Sequence, residues 1–486
     1  MHLLKDWRKL SRYEQCLLCL FLLTLPLVNP WVRGDGVGYY AYGRALLIEG
    51  RLDFQRDWLE ANPTFRMGRV DSGDHILESE YTKTGHLDNH FSVGPAILWF
   101  PFLLAAHLGV LTSRALGSHV AADGFSRPYD IAMALGTATY GFLGLWLSFQ
   151  MARKLFAERW AFLATLGIWL GSSLPVYLYF NPSWSHAPSA FAVALFAWYW
   201  HRTRGNRTLG QWGVLGLIGG LMVDVYYPNA ILILLPATES VAGYLRNFRA
   251  QGQEARGPIG GDALFAAALL AAVSPIFITR WIIYGDALNS GYAPVSRWNW
   301  GSPMLGSVLF SSDHGLFSWT PILALACAGF VFLWRRDRWL GANLLAVLLA
   351  FYYFIASYPD WNGISSYGNR FFVSLTCLFV LGLAALLDAT GRAWRERRAA
   401  IAGTFAVAVL VLWNFGLIFQ WGTHLIPARG PISWNEAAYN QVAVVPVKTA
   451  QTLAAYFTRR SQLMRRIESQ DEKQLRSGPP QREGTE

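Results

Sequence analysis

SVGPAILWFPFLLAAHLGVL, residues Ser92–Leu111, is the stretch on which the fold of this chain turns. It is apolar and about as long as a bilayer crossing requires, some 20 residues. It also holds Gly94, Pro95, Pro101, His107 and Gly109, which suit a crossing helix poorly. Eleven other apolar segments read as crossings, at 14–31, 129–151, 160–180, 186–201, 209–224, 228–244, 262–284, 316–334, 339–357, 370–388 and 400–421. If Ser92–Leu111 stays on one side, five basic clusters share one face of the membrane. They are Arg153/Lys154/Arg159, Arg202/Arg204/Arg207, Arg246/Arg249/Arg256, Arg335/Arg336/Arg338 and Arg392/Arg395/Arg397/Arg398. Lys and Arg gather in cytoplasmic loops, so that face is the cytoplasmic one. If the stretch crosses, every cluster moves outside. The expectation is a re-entrant or juxtamembrane helix on the outer side, within an all-α polytopic membrane protein of about 11 transmembrane helices (roughly 10 to 13).

Composition agrees. The chain is 53% hydrophobic and 15% charged, where a soluble domain carries about 25% charge. The net charge of +10 sits in short clusters between apolar runs, not in a basic stripe interleaved with aromatic residues, so nucleic acid is not a partner. Cys16, Cys19, Cys327 and Cys377 all fall in apolar segments, and their spacing supports neither a metal site nor a disulfide framework. The basic start (Lys5, Arg8, Lys9, Arg12) followed by an apolar run reads as an uncleaved first helix with its N-terminus inside. Residues 1–421 then form a transmembrane domain whose first outer loop is 32–128. Residues 422–467 form an outer interfacial segment with an amphipathic helix, and 468–486 a disordered tail.

With this parity the polar chemistry gathers on the outer face. WVRGDGVGYYAYGRALLIEGRLDFQRD, Trp31–Asp57, presents a carboxylate, Asp35, between two glycines. Tyr39 and Tyr40 on the short helix that follows join the substrate-binding candidates. Lys83 and His90 precede Ser92–Leu111, and Gly68–Asn89 reads as a loop over the site. His186 opens one helix and Asp224 closes another. Asp313 and His314 lie in FSSDHGLFSWTP, Asp360 lies in the next outer loop, and Arg370 opens a late helix in SYGNRFF. Taken singly, each has a structural account: a helix cap for Asp35, His186 or Asp224, and snorkelling for Arg370. Together they place acids, histidines and fixed cations at one membrane depth. A carboxylate can take a proton from an acceptor hydroxyl or amine. Cations can hold a phosphate and stabilise it as it leaves. An apolar groove beside them suits a lipid tail. P-loop, GxGxxG, HExxH and GxSxG signatures are lacking, which argues against nucleotide-driven chemistry.

The stretch GDGVGYYAYGRALLIEG after a first helix resembles the first outer loop of the GT-C glycosyltransferases. NHFSVGPAILWFPF, ARKLFAERWAFLATL and SYGNRFFVSLTCLFVLGLAALL are similar to later stretches of that family. The resemblance implies a GT-C-like bundle, an extracytoplasmic site and a polyprenyl-phosphate-sugar donor. It implies inverting transfer to a glycan, lipid or protein acceptor, with Asp35 as general base. It carries the phosphate-binding role to Lys83 and, less directly, to His90 or Arg370. It also implies a bacterial inner-membrane location. Two departures stand out. Gly36 follows Asp35 where the family has a second acid, and His186 stands where many relatives have Asp or Glu. Asp224 and Asp313 are candidates for the missing acid. No metal ligand is assigned, and metal dependence stays open. Two rival readings are a flippase for a lipid-linked glycan and a non-catalytic assembly protein with a degenerate site. Polar residues through the helix middles would mark the flippase, but Ala132–Trp146 and Leu344–Phe351 are apolar.

Overall fold

The computed structural model describes residues 10–249 and 259–477; Lys5, Arg8, Lys9 and Arg256 lie outside them. Among the described residues, sixteen helices of ten residues or more carry the fold. They are α1 (Arg12–Thr24), α2 (Asp35–Arg44), α3 (Gly94–Ala115), α4 (Arg127–Leu155), α5 (Glu158–Gly171), α6 (His186–Thr203), α7 (Leu209–Val225), α8 (Leu234–Arg249), α9 (Ile259–Tyr284), α10 (Ile322–Arg336), α11 (Arg338–Ser357), α12 (Thr376–Ala393), α13 (Glu396–Gly422), α14 (Trp434–Ala443), α15 (Val445–Thr458) and α16 (Arg460–Ser477). Among the described residues there is no sheet. Two isolated bridges, Val70 with Ile76 and Tyr81 with Leu87, fold the loop between α2 and α3 into tight turns.

The protein is an all-α polytopic membrane protein. Six helical segments among the described residues are long and apolar enough to cross a bilayer: α3, α4, α9, α11, residues 370–393 ending in α12, and α13. Each of the eleven expected crossings falls on a helix. Six of those helices, however, have only 13 to 18 residues, short of the usual crossing length. Several gain length from irregular turns at the same end: Leu25–Leu27 and Tyr227–Ile233 as 3-10 turns, and Val176–Phe180 as a π turn. Pro26, Pro175 and Pro228 accompany them. Such backbone is tolerated at membrane depth where it packs on protein or lines a cavity.

Residues 370–393 form the centre of the bundle, with 89% of the apolar window buried, against 28% for α3 and α13 and 17% for α9. Without a hydrophobic force between helices in lipid, close packing depends on small residues. A Cβ on Gly329 of α10 would lie 1.8 Å from the Gly382 carbonyl oxygen of α12, so only glycine allows this crossing.

The decisive stretch forms one continuous helix, α3, which carries Pro101 without a break and does not double back. Its start is tied to the end of α7, where Ser92 Oγ donates to the Val225 carbonyl at 2.9 Å. Its body packs on the first part of α4: Trp99 donates to Thr137 at 2.8 Å, and His107 Nδ1 lies 2.6 Å from the Tyr129 hydroxyl. The remainder of α4 packs against α6 through Tyr140 and Phe191, and Gln150 reaches Glu14 at the start of α1. α3 therefore extends away from the bundle end that holds Glu14. It does not run back alongside α6.

The C-terminal part differs from expectation. The first ten residues of the expected disordered tail, 468–477, continue α16. The expected single amphipathic helix is two, broken at Arg459. Tyr456 and Arg460 hold this arm to the end of the first helical segment, donating to the carbonyls of Leu27 and Val28 at 2.6 and 2.8 Å. Glu468 accepts from Asn62 and from the backbone N–H of Thr64, at 2.6 and 2.9 Å. These ion-dipole contacts order a stretch whose composition alone reads as solvated.

Candidate functional site

The first outer loop leaves α1 through Pro26 and Pro30, and the Asn29 N–H donates to the Tyr179 carbonyl at 2.7 Å. Gly34 turns the chain with a positive φ of 52°, and its N–H donates to Asn62 Oδ1 at 3.1 Å. Asp35 is the first residue of α2, where a negative charge complements the helix dipole. The N-cap position is held by Gly34, which has no side chain to cap the helix. The Asp35 carboxylate meets Arg370 Nη1 at 2.8 Å. Arg370 is delivered by the loop after α11. Asn369 Nδ2 donates to the Trp361 carbonyl at 3.0 Å, and the Arg370 guanidinium lies 4.6 Å from the ring centre of Trp184. Trp184 is fixed in turn by its Nε1 donating to the Arg33 carbonyl at 3.0 Å.

This pair faces a cavity of about 1260 Å³. Asp35, Tyr39, His90, His186 and Arg370 all line it. The irregular turns described above reach it too, at Leu27, Phe180 and Tyr227. His90 packs edge-on against Tyr292 at 4.8 Å. Burial holds its imidazole below the ordinary value, against the pull of Asp88 and Asp35. His186 is buried, its Nδ1 makes no hydrogen bond, and its ring meets Tyr177 edge-on at 4.7 Å. Burial and then the Asp35 charge raise the Tyr39 hydroxyl well above the usual phenol range, so it stays a donor.

The other candidates do not reach the cavity. Lys83 is exposed in the turn between Tyr81 and Leu87, and does not join Asp35 and Arg370. Tyr40 is buried on the far side of α2, its hydroxyl donating to the Gly124 carbonyl at 2.7 Å. Asp224 is buried at the end of α7. Asp313 and His314 support the Arg370 loop from behind: Asn362 Nδ2 donates to Asp313 at 2.8 Å, and His314 packs on Trp319 at 4.9 Å. These side chains organise the loops around the site; the contacts that hold them come from tertiary structure that their spacing does not reveal.

The structure also brings in residues to which the sequence reading gave no role at the site: Arg33, Arg69, His424, Arg429 and Asp471. The last three lie beyond residue 421: His424 and Arg429 in the loop that follows α13, and Asp471 on α16, which brings it back to the cavity. Asp360, an acid already placed on the outer face, lines the cavity where Asp224 and Asp313 do not. The absence of a second acid after Asp35 has a steric cause. A Cβ on Gly36 would lie 2.0 Å from Ser183 Oγ, so no side chain fits there. Among the described residues no group of three His, Cys, Asp or Glu side chains is placed to hold a metal ion.

The arrangement can bind an anion beside a carboxylate, within aromatic walls. Arg280 shows how firmly one wall is set: its buried guanidinium donates to the carbonyls of Asn89, His90 and Phe91 at 2.6 to 2.8 Å. No protein-family profile matches the sequence, and no characterised protein matches it. Among solved structures, this chain is similar to the crystal structure of ArnT from Cupriavidus metallidurans in the apo state. The TM-score is 0.43 at 12% identity, over 84% of this chain and 70% of that one, a likeness too distant to decide fold or activity.

Proposed function

We propose that this protein is a membrane glycosyltransferase that moves a sugar from a polyprenyl-phosphate donor to an acceptor outside the cytoplasm. The observation that carries this reading is the Asp35–Arg370 pair at 2.8 Å on the wall of one aromatic-lined cavity. At rest each partner neutralises the other. A phosphate arriving at Arg370 competes for the guanidinium, and Asp35 is released to act as base. The acceptor hydroxyl gives its proton to Asp35 as its oxygen bonds to the anomeric carbon. The bond from that carbon to the phosphate oxygen breaks on the opposite face, and the electron pair stays on the phosphate. Arg370 stabilises that charge in a site of low dielectric.

Tyr39, His90 and His186 contact the sugar or the acceptor, and Asp360 supplies the second carboxylate of the site. The cavity faces outward, with the basic clusters and the N-terminus on the cytoplasmic side of a bacterial inner membrane. α3 lies along the outer side, consistent with its packing on only the first part of α4. Residues 422–477 form an arm over the cavity.

The test is Asp35→Asn. Sugar transfer, followed by mass spectrometry of surface glycans and lipids, falls by roughly 10²- to 10⁴-fold if Asp35 is the base. Unchanged products from a well-folded Asp35→Asn protein would end the transferase reading and favour an assembly role.

A further inference from the structure

The stretch that delivers Asp35 has no regular structure: residues 28–33 lie between α1 and α2 outside any helix, and Gly34 turns. Its backbone groups have no helix to join, so other parts of the chain must hold it. The bundle supplies some of the holds. The Arg33 N–H donates to Ser183 Oγ at 3.4 Å, and the Arg33 carbonyl accepts from Trp184.

One face of α16 supplies the rest. Arg460, Met464, Glu468 and Asp471 are spaced four, four and three residues apart, which places them in a row along the helix. They meet the stretch in order. Arg460 donates to the carbonyls of Pro26 and Val28, each at 2.8 Å. Asn29 Nδ2 lies 3.2 Å from the Met464 sulfur. Asp471 pairs with Arg33, and Glu468 lies 3.5 Å from the same guanidinium. All three side chains of this cluster are largely buried, so their attraction is screened less than that of a surface pair.

Glu468 acts a second time, through Asn62. Its Oε1 accepts from Asn62 Nδ2 at 2.6 Å and from Thr64 Oγ1 at 2.8 Å. A primary amide has one donor end and one acceptor end. With the donor end claimed by the carboxylate, Asn62 turns Oδ1 toward Gly34, whose N–H it accepts. A turn glycine has wide conformational freedom, so this outside hold decides where Asp35 begins.

We propose that Glu468 and Asp471 are positioning residues: they brace residues 33 and 34, and so set the Asp35 carboxylate against Arg370. The proposal rests on the transferase reading for what Asp35 does, but bracing needs no turnover. Arg370 has its own support in the loop after α11, so the brace bears on the Asp35 half of the pair.

The experiment reads hydrogen exchange on the full chain in nanodiscs, and the initial rate at which surface glycan and lipid products accumulate in cells with matched protein levels. Glu468→Ala and Asp471→Ala should each speed exchange of the amides at 31–36 at least about tenfold, and leave the buried bundle centre, 376–387, unchanged. Each should slow product accumulation by about tenfold or more, the loss that a displaced base brings. Glu468→Gln keeps an oxygen where Asn62 and Thr64 donate, and should stay within about threefold of the unaltered protein in both readouts. Arg476→Gln, which breaks only the exposed pair with Glu472, should change neither. For any variant that fails to fold, the unaltered protein decides: in mild denaturant 31–36 and 460–472 should open together, before 376–387. Unchanged exchange at 31–36 in both alanine variants, equal loss of protection at 376–387, or equal effects of Glu468→Gln and Glu468→Ala would overturn the brace. So would separate opening of the two segments, or unchanged output from an Asp35-dependent enzyme. Faster exchange at 31–36 together with products that do not depend on Asp35 would remove the transferase reading alone. Asp35-dependent products with unaltered exchange would remove the brace alone.

Discussion

Arg207 and Arg370 are both held in the protein at opposite ends of the bundle, yet their surroundings differ in kind. Arg207, in the basic loop between α6 and α7, has a side chain 1% exposed. It reaches Glu239 at 3.1 Å, the Thr203 hydroxyl at 2.9 Å and the Trp200 carbonyl at 3.0 Å, and stacks on Trp212 at 4.3 Å. Arg370 has one carboxylate partner, Asp35, and its Nε is buried with no acceptor. A buried guanidinium whose donors are matched acts as a fastening. One left partly unmatched on a cavity wall carries a stored demand for an anion. Arg44 belongs with Arg207: it donates to Asp57 and Glu49, each at 2.7 Å, and fastens the first outer loop.

The sharpest way to break this contrast is to remove each charge in turn. Arg370→Gln should lower sugar transfer by roughly 10²- to 10³-fold, as loss of a charge-stabilising donor does, with only a small change in thermal midpoint. Arg207→Gln should do the reverse. It strands Glu239 and should cost about 3 kcal/mol of stability, with the specific activity of the folded fraction retained. Turnover and melting curves on both proteins decide the matter; equal effects of the two substitutions on both measurements would erase the distinction.

A smaller effect concerns His314, which supports the Arg370 loop. Burial, and then the nearby Arg370 charge, push its imidazole down to about 3. The unfolded chain therefore takes up this proton near pH 6.5, while the folded chain stays neutral until far more acidic pH. Stability contributed by neutral His314 is complete above about pH 6.5 and is lost as pH falls toward 3, by at most ~1.4 kcal/mol per pH unit. The thermal midpoint should drop across that window, and less steeply in His314→Phe. An identical acid profile for both proteins would mean that His314 is not held neutral.

The smallest expected effect is that of Lys83→Ala. Lys83 is exposed and lies off the cavity, so transfer should stay within about twofold of the unaltered protein, as for most surface changes. A tenfold loss would mean that the 81–87 turn swings onto the substrate during turnover.

These contrasts mark where reading the chain by residue succeeded. Apolar runs of crossing length and basic clusters at regular intervals were enough for the all-α membrane class, because both follow from local composition. Asp35, His90, His186 and Arg370 were legible as a group because each sits at the same end of a helical segment. Lys83 was not separable from them: its neighbours along the chain look the same, and only the Tyr81–Leu87 turn sends it outward. Gly36 read as a missing acid until Ser183, far along the chain, proved to occupy the space. The tail after Glu468 looked solvated because its partners, Arg33, Asn62, Thr64 and His424, are hundreds or tens of residues away.

Helix formation in lipid is a local demand, since every backbone group must find its partner within its own segment, and hydropathy read along the chain is therefore sufficient to expose it. Which polar side chains share one chamber is settled by contacts between segments distant in sequence. Asp35 meets Arg370 across most of the protein, and Asp471 reaches the same cavity only because α15 and α16 fold back onto the end of the first helical segment and the first outer loop. Such pairings leave no periodic trace in the amino-acid order, because they depend on packing geometry and not on spacing.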